Sequence, residues 1–176
     1  MSAKNIGDGA LNGLPVEHVG EERCAAQAPG NEKLSYGQLP KLTGFLLRKA
    51  IVSGFADFGD WTRDRAVTPL RYSVLKVIGA NNGIRQAQVA SMVGLSRPAA
   101  TLAVDFWQSR GCVARRRRHE DRRSYEIVLT ETGKQTLDAL QKRIARHEKA
   151  LTVSLSASDL KSLRRLLWMM VRSSNV

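Results

Sequence analysis

Between Arg115 and Arg123 the chain places six arginines and two acids within nine residues, Arg-Arg-Arg-Arg-His-Glu-Asp-Arg-Arg. Charge at this density cannot enter a core, because each guanidinium would have to be stripped of water. It suits a different chemistry: planar arginine forks match phosphate oxygens in pairs and so recognise a polyanionic backbone. The flanks show how the arginines are carried. Gly111-Cys112-Val113-Ala114 precedes them, and Ser124-Tyr125-Glu126-Ile127-Val128-Leu129 follows as a strand-like run. Two strands around a polar tip predict a β-hairpin. Alternation then sends Arg115 and Arg117 to one face and Arg116 and Arg118 to the other. One pair, taken as Arg115 and Arg117, is expected to face the polyanion, the other to be solvated or matched with acids.

The segment before the hairpin supplies a second set of groups. Ser96 is placed to cap a helix running to about Arg110, with Pro98 in its first turn, where a missing N–H costs little. Val93-Gly94-Leu95 makes a tight turn from a short helix at about Arg85 to Met92. Thr68-Pro69 opens a helix upstream, which stops at Gly79-Ala80-Asn81-Asn82-Gly83. Helix, short helix, turn, capped helix and basic hairpin form a winged helix-turn-helix. The leading residues of its second helix are Ser96, Arg97, Pro98, Ala99, Ala100 and Thr101. Apart from Arg97 they are small, which permits close approach to base edges. Arg97 suits a guanine O6/N7 pair; Thr101, Pro98 and Ala100 suit a thymine methyl.

Outside this region a helical pattern runs from about Leu39 to Trp61, with Gly44 and Gly54 as candidate close-contact points between helices. Thr130 caps a long helix carrying Leu137, Leu140, Ile144 and Leu151. Ser156-Ala157-Ser158-Asp159 starts a last helix with Leu160, Leu163, Leu166, Leu167, Met170 and Val171. These apolar stripes exceed what one small winged helix can cover, which predicts a homodimer. Residues 1–33 are rich in Gly, Asn, Ala and Glu without a period and are expected to form a disordered arm.

Composition agrees with a polyanionic partner. Lys plus Arg number 28 against 16 acids among 176 residues, a formal charge of +12. Cys24 and Cys112 form neither a disulfide framework nor a metal spacing, and no run of residues is long and apolar enough to span a membrane. The expected location is the reducing cytoplasm, with no membrane partner. His18, His119 and His147 are scattered, so no metal or other cofactor is expected. No phosphate loop, nucleophile elbow or Cys/His pair supports an enzyme. Asp57, Asp60 and Asp64 sit beside Arg63 and Arg65 and read as a solvated charge patch. Cys112 reads as a small buried residue.

Three stretches carry a family resemblance. They are Ser91 through Thr101, Arg110-Gly111-Cys112-Val113, and Asp121-Arg122-Arg123 continuing through Leu129-Thr130-Glu131-Thr132-Gly133. Together, over about residues 39–172, they resemble the MarR family of bacterial and archaeal transcription factors. The most specific part is Asp-x-Arg at a wing tip followed by Leu-Thr-x-x-Gly opening a long helix. The resemblance implies a mainly α fold with a small β-hairpin, a winged helix-turn-helix at about 68–130 within a domain over 34–176. Helices at about 39–61 and 131–172 would interlock two subunits. It also implies a sequence-specific regulator, by family tendency a repressor released by a small ligand. Asp121 would brace the wing, Arg123 would reach the minor groove, and Arg122 joins them in the DNA-binding set. The family more often has Leu-Glu where this chain has Trp107-Gln108.

A dimer would read a pseudo-palindromic operator on double-stranded DNA. The implied effector cleft would be lined by Arg48, Phe55, Phe58, Trp61 and Tyr72, aromatic walls with a cationic anchor. A small aromatic acid or its acyl thioester fits those residue types. A protein coating DNA or RNA without sequence preference would use the same charge but would need no base-reading helix.

Overall fold

The computed structural model describes residues 35–117 and 125–173. The expected arm at 1–33 therefore lies outside the described residues. The chain divides into two units, residues 1–49 and 50–176. In the first, a short 3-10 turn at Leu39–Lys41 has Pro40 in its opening positions, and the Tyr36 ring lies 5.7 Å from that of Phe45. Helix α1 (Thr43–Phe55) begins in this unit and ends in the second.

The helical pattern expected over 39–61 is divided: α1 stops at Phe55, and α2 is the separate short helix Phe58–Thr62. A side chain distant in sequence has taken over a carbonyl at the break. The Gly54 carbonyl accepts from His147 Nε2 at 2.7 Å instead of serving the next helical turn. Gly54 is also a point of close approach, since a Cβ there would sit 2.9 Å from Leu151 Cδ1. Gly44 has open space around it.

The second unit is built around a helical core. Helix α3 (Pro69–Ala80) starts as expected, with the Thr68 side chain accepting from the Arg71 N–H at 3.2 Å. Strand β1 (Ile84–Arg85), too short to show periodicity, leads into α4 (Gln86–Val93). Gly94 then takes φ +71, a left-handed conformation that glycine adopts without a Cβ penalty, and turns the chain. Helix α5 (Arg97–Ser109) follows, with the Ser96 hydroxyl accepting from the Ala99 N–H.

Strands β2 (Val113–Arg117) and β3 (Tyr125–Leu129) form the expected hairpin, and β1 adds to its far edge in the antiparallel order β1-β3-β2. Helix α6 (Glu131–Leu151) is capped by Thr130, whose hydroxyl accepts from Gly133 N–H at 3.0 Å and donates to the Gly111 carbonyl at 2.6 Å. Gly133 is required by proximity: a Cβ would fall 1.9 Å from the Cys112 carbonyl oxygen. The Leu-Thr-x-x-Gly motif is thus the joint that closes the hairpin onto α6.

Helix α7 (Ala157–Ser173) opens with the expected box, Ser156 and Asp159 exchanging hydrogen bonds at 3.2 Å. None of its described residues is buried, and Leu163, Leu166, Trp168, Met169 and Val171 are exposed. The core joins Val74, Leu75, Ile78, Val89, Val104, Trp107, Cys112 and Ile127 with Leu137 and Leu140. Cys112 is buried, as its small size suggested.

Candidate nucleic-acid interface and ligand cleft

The period of α5 sorts its residues. Ala100, Ala103, Val104 and Trp107 recur at three- and four-residue steps and form the buried stripe. Ala100 is 0% exposed, so it serves the core and is not available to a thymine methyl. Trp107 anchors this stripe by donating from Nε1 to the Arg71 carbonyl at 2.7 Å. Ser96, Arg97 and Pro98 are exposed at the helix start. Leu102, 70% exposed, joins them. The Thr101 hydroxyl is engaged inside the protein, donating to the Arg97 carbonyl at 3.0 Å and accepting from Gln86 Nε2 at 2.7 Å.

The hairpin arginines divide by face as alternation requires. Arg115 turns inward: its guanidinium donates to Asp105 Oδ1 at 2.6 Å, to Gln86 Oε1 at 3.2 Å and to Gln108 Oε1. The expectation that Arg115 faces the polyanion is therefore corrected, because acceptors on two helices hold its donors. Arg117, on the same face but further out, is exposed, with its guanidinium carbon 6.0 Å from the Tyr125 ring centre. Arg116 lines a hollow of about 500 Å³ with Asn82, Lys134 and Asp138. Asp121, Arg122 and Arg123, with Arg118 and His119, lie outside the described residues.

A larger cleft of about 820 Å³ opens between α2 and α6. Its lining includes four cations, Arg63, Lys142, Arg143 and Arg146, against two acids, Asp60 and Asp138, with Trp61 as an aromatic wall. Arg143 is oriented by donating to the Thr62 carbonyl at 2.6 Å. Of the five residues expected to line one cleft, Trp61 lines this one, whereas Phe55 and Phe58 line a separate hollow of about 500 Å³ with Asp60 and Arg65. Phe55 and Phe58 also join Trp61 around the buried His147, with ring centres at 6.2, 5.5 and 5.8 Å. Tyr72 packs against the helical core, and burial raises its phenol above the usual pKa. Arg48 is an exposed residue of the first unit. Lys142, Arg143 and Arg146 were missed because a basic helix face carries no sign, by itself, of what it encloses.

The acids of the α2–α3 corner are paired. Asp60 bonds Arg65 at 3.2 Å, and Asp64 bonds Arg110 at the end of α5 and accepts from the Ala66 N–H at 2.9 Å. The Arg110 guanidinium holds the Asp64 carboxyl below its ordinary pKa. Guanidinium carbons of Arg71 and Arg110 lie 3.9 and 4.1 Å from the Phe106 ring centre. The corner beside the cleft is thus fastened to α5. Among the described residues, no group of three or more His, Cys, Asp or Glu is placed to hold a metal, and no helix is long and apolar enough to cross a membrane.

Comparison with known proteins bears on both features. The MarR family model matches residues 67–125, from just before α3 to the first residue of β3. The transcriptional repressor CouR, solved on a 23-mer DNA duplex, superposes with a TM-score of 0.75 at 33% identity, covering 80% of this chain and 99% of that one. CouR bound to p-coumaroyl-CoA gives 0.72 at 31% identity, covering 79% and 98%. A putative transcriptional regulatory protein for the hcr operon of Thauera aromatica is 27% identical over 151 residues, 84% of this chain and 91% of that protein.

Proposed function

The chain belongs to the MarR family of transcriptional regulators, and from that premise we propose that it is a homodimeric repressor that leaves its operator when an aromatic acyl thioester fills the α2/α6 cleft. The observation that carries the DNA-reading half is the outward face of α5. Arg97 and Pro98 stand exposed at its N-terminal end, and Arg117 of the hairpin is exposed as well. Arg97 reads a guanine edge, and the outward Arg117 of the hairpin holds phosphate. The exposed apolar side chains of α7, with Ile51, Val52 and Phe55 of α1, supply the surface that a second subunit covers.

The effector class follows from charge. A free aromatic acid brings one negative charge, whereas the cleft offers four cations against two acids. The phosphates of a coenzyme A thioester match that excess, and Trp61 suits an aromatic acyl group. The p-coumaroyl-CoA complex of CouR supports the same class.

The test is displacement of the protein from its selected duplex, followed by fluorescence anisotropy, with p-coumaroyl-CoA, free p-coumarate and coenzyme A each added alone. The expected result is release by the thioester, weak competition by coenzyme A and none by the free acid. Release by the free acid alone would overturn the thioester assignment.

A further inference from the structure

Arg115 sits at the base of the wing with its side chain 25% exposed. Opposite it in the sheet is Ile127, a core residue, so the backbone at this point is fixed. Its guanidinium joins three side chains on two other elements: Asp105 and Gln108 of α5, and Gln86 at the start of α4. Gln86 in turn donates to Thr101 of α5. One planar cation therefore ties a wing strand to both helices of the helix-turn-helix. The tie also neutralises a misplaced charge. Asp105 is half exposed on the helix proposed to enter the groove, and a bare carboxylate there would repel phosphate.

We propose that Arg115 is a positioning residue, held by Asp105, which sets the wing against α5 so that one half-site is read by both elements at once. The proposal rests on the DNA-reading role above. Its physical basis is preorganisation: two elements bind jointly only if their separation and tilt are fixed before contact. A planar guanidinium suits three acceptors in a fixed arrangement, which an ammonium cannot match.

The experiment measures affinity for the duplex selected by the wild-type protein and for a scrambled duplex of equal length, across a salt series. The variants are Arg115→Gln, Arg115→Lys, Asp105→Asn and Arg115→Gln/Asp105→Asn, each with its melting temperature. Arg115→Gln is expected to lose about tenfold or more on the selected duplex and less than about twofold on the scrambled one, with its salt slope unchanged. Asp105→Asn should fall in parallel, the double variant should be no worse than either single one, and Lys should fail to restore binding.

Equal loss on both duplexes, a slope reduced by about 0.9, rescue by Lys and tighter binding by Asp105→Asn would make Arg115 a phosphate contact and overturn the proposal. Loss that tracks a fallen melting temperature on both duplexes would reduce it to a fold contact and overturn it equally. A wild-type protein that fails to prefer its selected duplex would instead sink the DNA-reading role itself.

Discussion

The α5–hairpin lobe and the α2/α6 cleft differ in how they are built. The lobe stands on a buried stripe, with Val104 and Trp107 at 0% and 1% exposure, and its outward residues are held by caps and hydrogen bonds. The cleft is walled largely by long charged side chains from α2, its C-cap and α6, which are far apart in sequence. On the proposed function, the first is a reader whose geometry depends on packing. The second is an electrostatic receptacle whose affinity depends on charge and whose loss should barely disturb the fold.

That contrast breaks first, and most severely, at Trp107. Trp107→Ala opens a cavity and removes the indole hydrogen bond to the Arg71 carbonyl. It should cost about 3–5 kcal/mol in urea unfolding and take DNA binding with it. Arg97→Ala should leave the melting temperature in place, cost about 1–3 kcal/mol on the selected duplex and relax base preference at one position. Equal loss on every sequence would remove its base-reading role.

On the other side, Lys142→Gln with Arg146→Gln should weaken p-coumaroyl-CoA binding about tenfold, or ~1.4 kcal/mol, in calorimetry. Operator affinity without effector should stay within about 0.5 kcal/mol. The smallest effect joins the two regions. Asp64 has a depressed pKa, so its pairing with Arg110 stabilises the fold above 3.8, the ordinary aspartate value, and that contribution is lost as pH falls through the lower folded value. Because the pair is about one-third exposed, Arg110→Gln should cost no more than about 1 kcal/mol near neutral pH. The gap from wild type should close in acid; a gap that persists there would assign the cost to lost packing on Phe106.

The same contrast explains what the sequence revealed. Thr68-Pro69, Gly94, Ser96, Thr130 and the Ser156–Asp159 box are local signals, and each marks the element boundary it predicted. Arg115 misled because composition shows a cation but not its acceptors, which lie 7 to 29 residues away. Ala100 misled because small size suits both close approach to DNA and burial, and only the 100/103/104/107 stripe separates them. The cleft was least legible. Three of its four cations, Lys142, Arg143 and Arg146, lie on a helix remote in sequence from Trp61, and the residue that gathers the aromatics, His147, looked isolated. At the helix break at Ala56-Asp57 the same histidine holds the Gly54 carbonyl, a partner 93 residues away that local spacing does not show.

The most direct test of the central claim is selection of bound duplexes from a random DNA pool at near-physiological salt. Enrichment of a pseudo-palindrome with half-sites about one helical turn apart is the expected result. Tight, salt-sensitive binding with no enriched sequence would contradict it and leave a basic protein that coats nucleic acid.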